Sequence, residues 1–404
     1  MRLQKKYFSI DYLIGLFLVL SGGSVAFVFN RNILTLLLFT FVLFGLALNH
    51  QKIKKDNFRN SVISLVILLV FLLVNFLFGA PGQSFVKFGF MFLSFLIAIM
   101  SLLYFEAKKK SILGVLRTLL LLVMCHSLIN FFVYPFIKEA LSVITNPFNE
   151  YTCSTFHYLF YYIPNRYELS ALGISFCRNQ GLFWEPGVLA IFLNLFFFVD
   201  AFVNKNLKRL TTFSSILAVI TTYSTTGIVI MAVQLVVFFW AQIRRNVLIT
   251  PILIAITIPF YQLIEQNLEH KIVGDGSTSA QVRMFDLVQQ MVVVIDNPIT
   301  GLGLDDQVYK RERYKYSINI DQLDYESLEK GSSNSVLFLM AAGGLPFAFY
   351  ILYSLFKQTL IRNQKVLFIL VFLLSVMSEP VLLKPFFLLF VANGSLQLLR
   401  RLSW

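Results

Sequence analysis

Apolar runs of nearly bilayer-spanning length recur along this chain, and short basic clusters separate them. Peptide groups in lipid can be satisfied only internally, so such runs must be helical. The pattern predicts helices over 11–29, 33–49, 61–79, 85–105, 112–136 and 184–203. A close pair follows at 210–224 and 227–242, then spans at 246–262, 335–356, 366–378 and 385–399. The first run follows Arg2, Lys5 and Lys6 but lacks a small-x-small cleavage site, which makes it a retained signal-anchor helix.

Basic clusters set the expected orientation. With the N-terminus inside, cytoplasmic loops hold Lys52, Lys54, Lys55 and Arg59, then Lys108, Lys109 and Lys110. Lys205, Lys208 and Arg209 follow, then Arg244 and Arg245, then Lys357, Arg362 and Lys365, with Arg400 and Arg401 in the tail. The stretch 211–242 is long for one span and short for two. As a single crossing it would leave Arg244 and Arg245 outside. Two short helices broken at Ser224-Thr225-Thr226-Gly227 keep both ends inside, and a polar break at membrane depth is tolerated where protein or water surrounds it. The expected fold is therefore an all-α polytopic membrane protein. It has about twelve transmembrane helices including one short broken pair, with both termini cytoplasmic. Residues 1–404 form a single membrane domain with two long external loops, 138–183 and 263–333. Long polar loops in a compact membrane protein commonly carry function.

Composition agrees. Hydrophobic residues make up 57% and charged residues 14%, and there are 44 Phe, far too little charge for a soluble surface of this size. The formal charge of +13 sits between helices and not on one soluble face, which argues against nucleic acid as a partner.

Candidate chemistry lies in the two loops. The first ends in Cys177-Arg178-Asn179-Gln180-Gly181-Leu182-Phe183-Trp184-Glu185-Pro186-Gly187 and runs straight into an apolar helix. Pro186 suits a first helical position, and Glu185 before it suits the positive end of a helix dipole, which is its plain structural reading. Arg178 at the membrane surface, beside Asn179 and Gln180, has no such simple explanation. In the second loop, Thr278-Ser279-Ala280-Gln281 resembles a capping box. On the helix it opens, Phe285, Val288 and Val292 form an apolar stripe, while Arg283, Asp286 and Gln290 share a polar face. An exposed Arg283–Asp286 pair, worth little, is the structural alternative to a site there. The helix ends at Asp296-Asn297-Pro298, followed by Gly301-Leu302-Gly303. The charged run Lys310, Arg311, Glu312, Arg313 and Lys315 reads as a solvated segment. Re-entry comes at Ser332-Ser333-Asn334, and Gly343-Gly344 in the next span reads as close helix packing.

In this order, the motifs resemble the O-antigen polymerase and ligase superfamily, with the nearer likeness to Wzy-type polymerases. The resemblance covers residues 178 to about 355. It implies a glycosyltransferase that needs no cofactor and no metal, acting on an undecaprenyl-diphosphate-linked oligosaccharide donor and acceptor at the outer face of a bacterial cytoplasmic membrane. Arg178 and Arg283 match the family's motif arginines. A planar guanidinium fork suits a diphosphate leaving group, so the two would bind it and stabilise its departure. Asn179, Gln180, Asp286, Gln290 and Asn334 are candidate substrate-binding residues. Glu185 is the leading candidate base, although a carboxylate beside an arginine at a helix start is a weak proton acceptor. Ligases of the superfamily carry a His at the last re-entry, where this chain has Ser332, Ser333 and Asn334, which favours a polymerase. A chain-length-regulating protein is a candidate partner. A ligase, or a flippase for lipid-linked oligosaccharide, are the alternatives. Against the flippase, no repeated halves are visible and polar residues concentrate in the loops.

Other residues carry weaker signals. Tyr161 and Tyr162, in an aromatic cluster with His157, Tyr158 and Tyr167, form either an interfacial belt or a sugar-contacting surface. Cys153 and Cys177 share the first loop and are candidates for a disulfide beside Arg178. Within the fifth helix, His126 reads as a hydrogen-bonded bundle residue, Arg117 as a snorkelling one. Glu379 and Lys384 either pair with each other in a short outer turn or touch the acceptor.

Overall fold

The computed structural model describes residues 9–146, 151–163, 168–171, 174–205, 208–245, 277–316 and 334–402. It is mostly helical, with fourteen α-helices among the described residues. Five are α1 (Ile10–Ser21), α2 (Val25–Ala47), α3 (Lys55–Phe78), α4 (Phe85–Ala107) and α5 (Ile112–Ile137). After the first long loop come α6 (Pro186–Phe198), extended by a π-turn at Val199–Val203, α7 (Arg209–Thr221) and α8 (Thr225–Arg245). The second loop carries α9 (Ser277–Asp296) and α10 (Asp306–Arg313). The chain finishes with α11 (Ser335–Gly343), α12 (Leu345–Lys357), α13 (Lys365–Ser378) and α14 (Pro385–Leu402).

The broken pair expected at 210–242 is present as α7 and α8, interrupted at Thr222–Ser224. Tyr223 adopts a left-handed conformation (φ 49°) at the break. Two other breaks lie where single helices were expected. The first expected helix, 11–29, stops at Ser21, because Gly22-Gly23 follows and Gly23 takes a φ of +133° that L side chains rarely adopt. Ser24 then caps α2 by accepting from the Phe27 amide, and α2 kinks at Asn30. The expected span 335–356 is divided between α11 and α12 at Gly343-Gly344. Gly344 has φ +82°, and a Cβ there would lie 2.1 Å from the Ile299 carbonyl oxygen, so these glycines serve a loop contact as well as packing. Among the described residues, five helical stretches are long and apolar enough to cross a membrane, from α2 through α6, and five shorter apolar helices join them. The described residues do not confirm twelve spans, and the expected span 246–262 lies outside them.

The first loop also departs from an all-helical fold. β1 (Ser142–Thr145), β2 (Thr152–Phe156) and β3 (Phe160–Tyr162) form a three-stranded antiparallel sheet in that order, and β4 (Glu168–Ala171) pairs with β5 (Ile174–Cys177). These runs are rich in β-branched and aromatic residues, which suit a pleated, half-buried surface.

Helix ends sort to two faces. At one, Asp11 binds Lys108 at 2.7 Å, Lys110 at 2.6 Å and the Tyr104 hydroxyl. There too Arg400 of α14 joins Glu106 of α4 at 2.7 Å and Asn57 of α3 at 3.1 Å. Arg117 does not snorkel freely but pairs with Asp200 at 2.5 Å. At the opposite face gather the α1–α2 break, the start of α6, the α7–α8 break and the turn before α14. The helix between these faces, α6, is buried along its length, whereas α2, α3 and α13 present exposed apolar residues such as Phe44, Val66 and Val366. Apolar area on this scale calls for a lipid covering.

Candidate functional site

Residues 178–187 are built into the helix breaks from both sides. Arg178 donates from Nε to the Thr222 carbonyl at 3.3 Å and from Nη2 to the Tyr223 carbonyl at 3.1 Å. These carbonyls end α7, so the guanidinium sits at the negative end of that helix. Asn179 is fully buried and its amide is saturated. Nδ2 donates to the Ser127 carbonyl and to Thr221 Oγ1, while Oδ1 accepts from Asn130 Nδ2 and the Gly181 amide. Two donors and two lone pairs are all a primary amide has. Its backbone amide adds a bond to the Thr221 carbonyl at 3.0 Å. Gln180 is as deeply buried, but its side-chain nitrogen and oxygen find no hydrogen-bond partner among the described residues.

Further along, Leu182 and Trp184 bond to the α1–α2 break through the Val25 amide and the Gly23 carbonyl. Phe183 stacks on Phe192 at 4.4 Å between centroids, which anchors the loop to α6. Glu185 stands at the N-cap of α6 but makes no side-chain cap bond. Close by, a Cβ on Gly187 would fall 2.0 Å from Glu379 Oε1, so this glycine admits the Glu379 carboxyl at the start of α6. The turn that holds Glu379 is pinned by Ser335, whose hydroxyl donates to the Glu379 carbonyl and accepts from the Val381 amide. Asn334, just before, caps α11 by accepting from the Val336 and Leu337 amides. Glu379 and Lys384 form no ion pair with each other.

The glycine-containing loop after α9 is wedged between α3 and the α11–α12 break. Asn75 near the end of α3 donates to the Thr300 and Ala342 carbonyls at 2.7 Å each, and accepts from the Leu304 amide. Leu302 and Gly303 bond in turn to the Ala341 and Ala342 carbonyls. Asp305 starts α10 and accepts from the Gln307 and Val308 amides, the Ser84 amide and Lys87 Nζ at 2.6 Å. Burial alone would raise the Asp305 carboxyl, but Lys87 and the Ser84 and Gln307 amides outweigh it and hold the group below its ordinary range. A depressed carboxyl gives stability that is present above its unfolded pKa and is lost as pH falls through its folded one. Limited proteolysis of 297–316 should therefore accelerate below about pH 4, the ordinary carboxylate range. Asp305→Asn should cleave at the faster rate already at neutral pH and lose that dependence.

Asp286 and Arg313 form a fully buried ion pair at 3.0 Å, and Gln289 Nε2 donates to the Arg313 carbonyl. Gln290 is buried beside them, and its amide atoms have no hydrogen-bond partner among the described residues.

Residues 210–352 match the family model described as O-Antigen ligase. The stretch begins at the start of α7, takes in the α7–α8 break and α9, and ends within α12. It covers roughly a third of the chain and supports the O-antigen ligase and polymerase superfamily, whose members are enzymes of glycan assembly, without separating polymerase from ligase. The apolar helices together with this match support a bacterial inner-membrane protein. No curated protein and no solved structure matches the chain.

Several expected site residues take other places. Asn179 is a saturated lock and Asn334 a helix cap. Asp286 is buried and pairs with Arg313, so it is not part of a solvent-facing stripe. Arg313 and Glu312 are buried, which corrects the solvated reading of that charged run, although Arg311 and Lys315 are exposed. Tyr161 packs with Cys153 and Val25, and Tyr162 donates to the Asn130 carbonyl at 2.7 Å, so both are core residues of the loop. Cys153 and Cys177 form no disulfide with each other. They sit in separate sheets and separate apolar clusters, and burial pushes the Cys153 thiol up to about 11. Arg283 falls on α9 with its side chain outside the described residues, so its distance from Arg178 is not defined. Sequence reasoning missed Asn75, Asp305 and the pairing of Arg313. Asn75 and Asp305 flank the Gly-Leu-Gly segment in space but not in sequence, which left no local signal.

Proposed function

We propose that this chain is a glycan polymerase, a metal-independent glycosyltransferase that joins undecaprenyl-diphosphate-linked oligosaccharides into O-antigen or capsular polysaccharide at the outer face of the cytoplasmic membrane. One observation carries the reading most. Arg178 lies upstream of the family-matched stretch, yet it is bonded to the helix break inside that stretch. A guanidinium fixed at a polar helix break is suited to a phosphate that arrives at the membrane surface.

In the proposed reaction an acceptor sugar hydroxyl attacks the anomeric carbon of the donor. The anomeric carbon–oxygen bond to the diphosphate breaks, and its electron pair leaves with undecaprenyl diphosphate. Arg178 and Arg283 would hold the leaving oxygens, and Glu185 at the mouth of α6 is the candidate acceptor of the hydroxyl proton. The ligase reading is favoured by the match to the family described as O-Antigen ligase. Asn334, at the position where ligases carry His, favours the polymerase.

Complementation separates these readings. A host strain lacking its own copy should regain a polymer ladder on gels with the wild-type chain. Arg178→Ala and Arg283→Ala, present at wild-type abundance, should leave single repeat units capped on the final lipid. A ladder that forms on undecaprenyl diphosphate without this chain, but reaches the final lipid only with it, would make the chain a ligase. Failure of any repeat unit to reach the outer face would make it a transporter.

A further inference from the structure

Lys384 closes the turn into α14, and its carbonyl accepts from the Phe387 and Leu388 amides that open the helix. An ammonium at the positive end of a helix is unfavourably placed. It is half-buried, lies 4.9 Å from the centroid of the Trp184 ring, and enters no salt bridge among the described residues. Arg31 of α2 adds a second positive charge nearby and likewise forms no salt bridge among those residues. Burial first, and Arg31 second, pull the Lys384 ammonium down to about 8, while Glu379 and Glu185 act in the opposite sense.

The donors converge on one gap. A Cβ at Gly23 would come 3.3 Å from Lys384 Nζ and 3.3 Å from Trp184 Nε1, so both border the space that glycine leaves open. The indole N–H is buried and has no hydrogen-bond partner among the described residues. A buried donor of that kind ordinarily has a partner, so its lack points to a ligand acceptor. Just beyond Arg31 on α2, Ile33, Leu36 and Leu37 are exposed. The gap therefore adjoins an apolar surface on a helix long enough to cross a membrane.

We propose that Lys384, the Trp184 indole N–H and Arg31 form an anion site over Gly23 that takes phosphate oxygens of a polyprenyl diphosphate, with the isoprenoid chain along α2. Its residues lie outside the family-matched stretch. The glycan attached to the lipid rests on the polymerase reading; the anion chemistry does not. Glu185 and Glu379 act on the same lysine and repel any anion, so occupancy depends on the donors engaging its oxygens together.

The test uses the full chain in nanodiscs, with amine acylation at pH 8 read by peptide mass spectrometry. Lys384 should be acylated, and undecaprenyl diphosphate should slow the modification at least fivefold, whereas undecaprenol should not. Measured directly, undecaprenyl diphosphate should bind Lys384→Ala about tenfold more weakly, Trp184→Phe to a smaller degree more weakly, and Lys384→Arg nearly as the wild type. Equal acylation with and without the lipid, resistance of Lys384 to acylation, or unchanged binding by Lys384→Ala would each overturn the site. Full protection by inorganic pyrophosphate alone would overturn the lipid assignment and leave a free-phosphate site. Protection by the lipid in a chain that fails the ladder assay would uphold the site and reject the polymerase reading.

Discussion

Arg313→Ala should yield little folded protein. The Arg313 and Asp286 side chains are each 1% exposed and lie 3.0 Å apart, inside a cluster that also buries Gln289, Gln290 and Tyr309. Removing one partner of such a pair leaves a desolvated carboxylate behind and typically costs about 3–5 kcal/mol. That is a large share of the stability a folded chain has to lose. Detergent extraction followed by fluorescence-detected size exclusion should show the variant mostly in the void volume, with a markedly lower unfolding temperature in any monodisperse fraction. Arg311→Ala is the control. Its guanidinium is 59% exposed beside Glu312, and an exposed pair is worth at most about 1 kcal/mol. Replacing both partners, Arg313→Met with Asp286→Leu, should recover most of the loss, because an apolar pair of similar volume carries no desolvation penalty. If Arg313→Ala is as stable as Arg311→Ala, the pair is not what holds α9 against α10.

The helical architecture was legible wherever a single physical rule governed the outcome. A polar Ser-Thr-Thr-Gly stretch inside an apolar run that was too long for one span located the α7–α8 break, and the structure has it at Thr222–Ser224. The breaks at Gly23 and Gly344 were harder to read. Glycine pairs in apolar helices serve equally for close packing, and only the loops that arrive from elsewhere select a left-handed conformation. Strands β1 to β3 had a local signal in their β-branched and aromatic runs, and the strength of the membrane pattern obscured it. In the site, the motif residues lie where helix breaks meet, but their individual duties depend on partners distant in sequence. Asn179 bonds to residues 42, 49 and 52 positions away, a pattern no spacing rule anticipates. Charge alone misled for Arg313, since a run of five charged residues in six gives no hint that one is buried.

Asn179→Ala should separate a structural lock from a substrate contact. With the side chain gone, the Gly181 amide loses its side-chain acceptor, Asn130 Nδ2 keeps only the Tyr161 carbonyl at 3.5 Å, and the Ser127 carbonyl loses one donor, all in the interior. Each buried polar group left without a partner costs about 1–3 kcal/mol, so the summed effect rivals that of the ion pair. Asn179→Asp should be no better, because it presents an oxygen where Nδ2 donates to the Ser127 carbonyl. Thr221 cannot compensate, since its hydroxyl already donates to the Ala218 carbonyl at 2.7 Å. Both variants should therefore unfold at clearly lower temperature, and loss of the polymer ladder should track loss of folded protein. A ligand-contacting amide behaves differently: its removal lowers activity while the melting temperature stays put. An Asn179→Ala chain with wild-type stability and no ladder would reject the lock and return this residue to the substrate. The distinction bears on Arg178 next door, because its guanidinium can meet a phosphate in a fixed pose only if residue 179 holds the loop against the end of α7.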